Sequence, residues 1–299
     1  MSKNVLVELS DALADVAEKT GKATVLVNAR RRMPASGIVY AADLILTAEH
    51  VIEREQDITV ALDDGMEISA RLAGRDGGSD LAVLRLERPA GTVAEPTKSP
   101  ARPGQIALAL GRPSADGIEA SLGTVSAIGG PIRTGRGGLL ERYIRTDSIS
   151  YPGFSGGPLV AADGTVLGLN TSGLGRGAAI TIPADIAWRV AETLARHGHI
   201  KRGYLGIRSQ TVELPNASQM ALEREQGTGL LVVSVENHSP ASKGGLIVGD
   251  ILVAVAGVAV LHHDELFARL SGEVAGKSAP IEILRGGRPQ TLNVLIGER

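Results

Sequence analysis

The pattern of apolar positions divides this chain into stretches of different period. Leu9, Ala12, Leu13 and Val16 stand at i, i+3, i+4 and i+7, one face of a helix, and Gly21 reads as its stop. From Thr24 the period shortens to that of strands. Runs rich in β-branched residues recur at 24–27, 37–40, 44–47, 58–62, 67–72 and 81–86, with Asp63-Asp64-Gly65 as a hairpin turn. Residues 88–104 carry Pro89, Pro96, Pro100 and Pro103 without an apolar period, which marks a crossover. A second set follows at 106–110, 121–128, 143–146, 158–160, 166–170 and 178–182. Six runs and six runs are spaced like two closed β-barrels, over about 22–90 and 104–183. Between 129 and 138, glycine and basic residues read as a mobile surface loop.

Beyond Pro183 the period becomes helical again over 185–196, with Ile186, Ala187, Val190, Ala191 and Leu194 on one face. Gly198, Lys201 and Arg202 then place a boundary near 198–202, giving domains 1–200 and 203–299. The second domain reads as strands at 230–235, 251–255, 279–284 and 290–296, with helices opening at Ser239-Pro240-Ala241 and spanning 263–270. The fold class is mostly β.

Composition narrows the chemistry. Across 299 residues, 31 Lys+Arg stand against 33 Asp+Glu, so no charge excess points to nucleic acid; Arg30-Arg31-Arg32 is the one basic run and reads as a solvated turn. Cysteine is absent and the six histidines are scattered, which implies no metal, no cofactor and no thiol nucleophile. No stretch reaches the roughly 20 apolar residues of a membrane span. The first 21 residues carry Glu8, Asp11, Asp15 and Glu18 and no apolar centre, so the sequence as it stands reads as cytoplasmic; a chain trimmed of its leader would instead be extracytoplasmic.

Against this background Tyr151-Pro152-Gly153-Phe154-Ser155-Gly156-Gly157 stands out, because glycines on both sides of a serine imply a shaped backbone. A bent loop there would aim the Gly153 and Ser155 N–H groups at one point beside the Ser155 hydroxyl, as an oxyanion requires. Such a hydroxyl needs a base held by a third group. His50, just past the apolar run 44–47, is the candidate base, and Asp80, just before the run 81–86, is the candidate orienting acid, with Asp76 its rival. His197, His199, His238, His262 and His263 lie outside both β units and receive no chemical task.

The order His50, Asp80, Ser155 resembles that of a chymotrypsin-fold serine protease. Ser36-Gly37-Ile38-Val39, Leu46-Thr47-Ala48-Glu49-His50-Val51, Ser79-Asp80-Leu81-Ala82-Val83-Leu84 and Gly153-Phe154-Ser155-Gly156-Gly157-Pro158-Leu159 resemble blocks of the Deg/HtrA (high-temperature-requirement) proteases. Tyr204-Leu205-Gly206-Ile207, followed by Ser239-Pro240-Ala241 and Val248-Gly249-Asp250-Ile251-Leu252, resembles the carboxylate-binding loop, helix and strand of that family's PDZ domains.

The resemblance implies an ATP-independent endopeptidase of unfolded or misfolded proteins, a PDZ domain for peptide C-termini, and a homo-oligomer, a trimer in the family. It places substrate along Asn170-Thr171-Ser172 and a specificity pocket near Ile149, whose apolar floor would favour small or medium apolar residues. Where the family has Asn this chain has Phe154, which is expected to alter substrate contacts. Two rivals remain: a latent or inactive protease acting as a chaperone-like peptide-binding module, and a small-molecule esterase, which the early position of the histidine disfavours.

Overall fold

The computed structural model describes residues 4–134, 138–174, 180–201, 203–270 and 274–298. The chain divides into two compact units, Met1–Ile200 and Lys201–Arg299. The first is mostly β: two closed six-stranded antiparallel barrels, each built from neighbours in sequence. In barrel one, β1 (Thr24–Asn28), β2 (Ala35–Ala41), β3 (Leu44–Ala48), β4 (Ile58–Ala61), β5 (Glu67–Asp76) and β6 (Leu81–Leu86) close in the order β1-β2-β3-β6-β5-β4. Val25, Val27, Ile38, Ile45 and Leu84 fill it, which explains the Val- and Ile-rich runs: branched side chains pack on a pleated surface and lose little χ1 freedom there.

Barrel two uses β7 (Ile106–Ser114) and β8 (Gly117–Gly129), then, after a two-stranded hairpin β9 (Ile132–Arg133) and β10 (Leu139–Leu140), the strands β11 (Tyr143–Thr146), β12 (Pro158–Ala161), β13 (Val166–Thr171) and β14 (Ile180–Pro183). Its order is β11-β14-β13-β12-β7-β8. The hairpin corrects the expected surface loop: Arg133 pairs with Leu139, Leu140 is buried, and Thr134 Oγ1 donates to Gly78 O at 2.7 Å. Residues 135–137 of that stretch, and 178 and 179 of the last expected strand, lie outside the described residues.

Helix α1 (Val5–Gly21) is longer than its stripe implied. It packs only from Leu13 onward, through Val16 and Ala17 against Leu108, Leu110 and Val160, while Leu9 stays 42% exposed. Helix α2 (Ala184–His197) turns its apolar face to barrel one and ends on Gly198 in the left-handed conformation.

The second unit has one six-stranded sheet. Its strands are β16 (Ile207–Glu213), β17 (Thr228–Val235), β18 (Ile251–Val255), β20 (Ser278–Arg285) and β21 (Arg288–Leu295) in that order, with β19 (Val258–Ala259) paired to β18; β15 (Gly203–Tyr204) pairs with β22 (Gly297–Glu298). Helices α3 (Asn216–Ala221), α4 (Pro240–Lys243) and α5 (His263–Arg269) complete it. β16 is the strand that follows the Tyr204–Ile207 loop; it mixes polar and apolar positions because it is an edge strand with little buried surface.

Candidate active site

Strand register assembles the first half of the site. β3 and β6 are paired from Leu44↔Arg85 to Ala48↔Leu81, so the turn after β3 lies beside the residue before β6. His50 sits in that turn, Glu49–Val51, and Asp80 immediately precedes Leu81. Asp80 adopts φ 56°, a left-handed conformation that aspartate tolerates better than most residues. Its carboxylate accepts the His50 N–H at 2.9 Å and lies 3.1 and 2.9 Å from His50 Nδ1. The acid side chain is 4% exposed and the imidazole 22%. An ionised acid there holds the proton on Nδ1 and leaves Nε2 as the basic nitrogen. Asp76, the rival acid, accepts from Ser79 N and Ser79 Oγ at 2.8 and 2.6 Å and closes the turn instead.

Barrel two supplies the rest. The loop between β11 and β12 presents Ser155, and among the described residues the Gly153 and Ser155 N–H groups have no acceptor. Gly156 must be glycine twice over: its φ is 90°, and a Cβ would stand 2.0 Å from Ser36 O. The expectation for Phe154 is overturned. Its side chain is fully buried among Ala109, Ile144 and Leu159, edge-on to Tyr151 at 5.4 Å, and against Gly111, where a Cβ would meet its ring at 2.5 Å. It anchors the loop from inside the barrel and does not line the cleft beside Ser155.

Two supports were not read from the sequence. Ser36 of barrel one donates from Oγ to Gly153 O at 2.7 Å and from N–H to Ser155 O at 3.1 Å, while its Oγ accepts Arg112 N–H at 2.8 Å. Arg112 in turn donates to Thr24 O and Gly21 O; burial, partly offset by Asp63, lowers its pKa. Gly173 covers the His50–Asp80 pair so closely that a Cβ there would lie 2.6 Å from both Asp80 Oδ2 and His50 Nδ1.

A cleft of about 450 Å³ opens at Ser155, bordered by His50, Ser150, Tyr151, Pro152 and Gly153, and by Asn170, Thr171 and Ser172. Asn170 and Thr171 are buried. Asn170 pairs with the serine loop, accepting Gly156 N–H and donating to Gly157 O, both at 2.8 Å; Thr171 Oγ1 donates to Asp80 Oδ2. Of the three, Ser172 alone is exposed. Its N–H donates to Ser155 Oγ at 3.3 Å and its Oγ lies 3.1 Å from the same atom, whereas no hydrogen bond joins Ser155 to His50. Ile149 does not line the cleft and is 58% exposed, so it supplies no apolar floor; its neighbours Ser150, Tyr151 and Pro152 line the cleft instead.

In the second unit, Leu205 and Gly206 also carry N–H groups without an acceptor among the described residues. Gly206 has φ 79°, Leu205 is buried, the Tyr204 hydroxyl donates to Glu236, and Ile207 opens the edge strand β16. His263 ties α5 to that strand, its Nε2 lying 3.0 Å from Ser209 Oγ and 3.1 Å from Ser209 O. Among the described residues no cluster of His, Asp and Glu could hold a metal, and no helix is long and apolar enough to cross a membrane.

Comparison with known proteins agrees with both units. Residues 35–169 match the trypsin-like peptidase domain and 203–296 match the PDZ domain. A probable periplasmic serine endoprotease, DegP-like, of Halomonas elongata is 34% identical over 278 residues, 90% of this chain and 57% of the relative. The protein of the same description from Pseudomonas putida is 34% identical over 269 residues, 88% of this chain and 55% of the relative. The chain thus spans little more than half the length of these relatives. Among solved structures, the HtrA-type protease AlgW with decapeptide superposes with a TM-score of 0.78 at 28% identity, covering 96% of this chain and 98% of that one. The serine endoprotease from Yersinia pestis gives 0.76 at 29%, covering 96% and 97%. The chain thus carries a trypsin-like peptidase domain followed by a PDZ domain and is similar over about nine-tenths of its length to DegP-like and HtrA-type proteases.

Proposed function

We propose that this chain is a serine endopeptidase of unfolded or misfolded proteins that needs no ATP. The observation that carries the reading is the buried Asp80 carboxylate on His50 Nδ1, at 2.9 Å, in the same cleft as Ser155 and two acceptor-free N–H groups. His50 Nε2 takes the Ser155 proton as Oγ bonds to the substrate carbonyl carbon. The carbonyl oxygen gathers charge between the Gly153 and Ser155 N–H groups, and loss of one such donor lowers turnover on the order of 100- to 1000-fold. His50 then protonates the departing amine, and water repeats the sequence on the acyl-enzyme. Substrate runs beside the exposed Ser172 end of β13. The expected result is casein cleavage by the chain and none by Ser155→Ala; cleavage by that variant sinks the reading.

The PDZ unit supplies a binding step. Leu205 and Gly206 N–H groups hold a peptide C-terminal carboxylate while β16 takes the peptide as an added strand. A trimeric or other homo-oligomeric state follows from the family resemblance and is checked by light scattering. Since the relatives are named periplasmic, an extracytoplasmic place of action is the reading to set against the cytoplasmic one, and cell fractionation decides between them.

One observation favours the latent alternative: the Ser155 hydroxyl pairs with Ser172 rather than His50. Catalytic hydrogen bonds often tighten only when substrate arrives, so this geometry also fits a resting active enzyme. A fluorophosphonate separates the two. Labelling of Ser155 in the free chain supports the protease; no labelling even with a C-terminal peptide bound supports the chaperone-like module.

A further inference from the structure

The lining of the catalytic cleft is unevenly charged. Ser150, Tyr151, Pro152 and Ser172 add no charge to it, whereas Arg30, Arg32 and Glu53 do. Hydrogen bonds say where the charged part lies. The Glu53 and Arg54 N–H groups both donate to Ala29 O, at 3.0 and 3.1 Å, so the segment following His50 is stapled to the one that carries the arginines. Pro34 O, at the other end of the arginine turn, lies 3.2 Å from where a Cβ on Gly153 would stand. The base that protonates the departing amine has the leaving chain beside it. The arginine turn therefore walls the path of the leaving fragment.

The arginines are not equivalent. Arg30 bends back on its own turn, donating to Met33 O and, at 3.0 Å, to Pro34 O, so it shapes the turn while keeping its charge. Arg32 is exposed and, among the described residues, has no hydrogen-bond or ion-pair partner. Glu53 opposes them with one carboxylate, which accepts the Arg31 N–H at 3.4 Å and pairs with neither lining arginine. Two guanidinium groups against one carboxylate leave this part cationic, and guanidinium is the group best matched to a carboxylate partner.

We infer that Arg32, backed by Arg30, forms a leaving-side subsite for carboxylates, so that cleavage is fastest where Asp or Glu follows the broken bond. This rests on the endopeptidase reading and adds a substrate class to it. The basic run that looked like a solvated turn in the sequence becomes a selector because folding carries it to the cleft. An exposed pair of this kind changes kcat/KM roughly 2- to 5-fold.

The test uses the full chain and amidated peptides that share one acyl half and carry Asp, Ala or Lys at the first three leaving-side positions. The expected order of kcat/KM is Asp, then Ala, then Lys, with the spread shrinking near 1 M salt, where the screening length falls to about 3 Å. Arg32→Ala flattens the order and Arg32→Glu inverts it. A carboxylate at the end of a short leaving fragment is the other source of the same chemistry. An Ala peptide ending at the third leaving-side residue, free or amidated, separates that source from side chains.

Equal rates for all these peptides in the unaltered chain, or an order that Arg32→Glu leaves unchanged, overturns the inference. To keep it apart from the endopeptidase reading, the same peptides are titrated against the Ser155→Ala chain by fluorescence anisotropy. An acidic preference that Arg32→Glu abolishes supports the subsite even if nothing is cut, and equal affinities overturn it.

Discussion

Two loops of this chain offer backbone N–H groups to a negative oxygen, and they are built alike. At Gly153–Ser155 and at Leu205–Gly206, a glycine in the left-handed region, φ 91° and 79°, turns the chain, and a buried apolar neighbour, Phe154 or Leu205, pins it to a core. They differ in what stands beside the donors. The first has a hydroxyl and a cleft shared with an oriented imidazole; the second has an edge strand. The donors alone make an anion site, and its neighbours decide whether the anion is a fleeting oxyanion or a resident carboxylate. Support differs too: Ser36 reaches the first loop from the opposite barrel, whereas the second is held locally, Ala241 N–H donating to Leu205 O at 2.8 Å.

That comparison breaks most visibly at the anchors. Phe154→Ala is expected to destabilise the peptidase unit by about 3–5 kcal/mol and to abolish fluorophosphonate labelling, while C-terminal peptide affinity holds. Leu205→Ala, costing about 2–5 kcal/mol in the PDZ unit, should do the reverse. Denaturant melts with probes for both functions check this, and crossed effects would end the likeness between the loops. Next in size is Gly173→Ala. Its methyl group must push the imidazole from Asp80, and a displacement near 1 Å lowers turnover about 100-fold, read as kcat with KM nearly constant. The smallest effect sharpens the difference in support: Ser36→Ala leaves Gly153 O and Arg112 N–H buried without their partner, for a loss of about 1–3 kcal/mol, with slowed acylation and unchanged PDZ binding.

The legible parts of the sequence share a physical cause. Barrel strands, the two longer helices and the serine loop each carry their signal within a few residues, so period and turn chemistry reveal them, and His50 and Asp80 are marked by the strands they flank. What escaped depends on contacts between segments far apart. Gly173 earns its place from residues about 90 and 120 positions away, and Ser36 from one 117 positions away. Phe154 was misassigned for a different reason. Two tight turns flank it, Phe154 N–H donating to Tyr151 O and Gly157 N–H to Phe154 O, and they send its ring into the core while Ser155 faces the cleft, a geometry the residue types alone do not fix. The edge strand β16 has no buried face to give it a period, so only the loop before it marks where it starts.

The bonds from Ser36 to Gly153 and Ser155 also bear on how the molecule comes into being. Its base and acid lie in one barrel, its nucleophile in the other, and the strut that shapes the donors crosses between them. A nascent chain with only the first barrel closed has no hydroxyl to activate, and a half-docked second barrel has a serine on an unbraced loop. On the endopeptidase reading, a complete site therefore forms last, once both halves have closed and met.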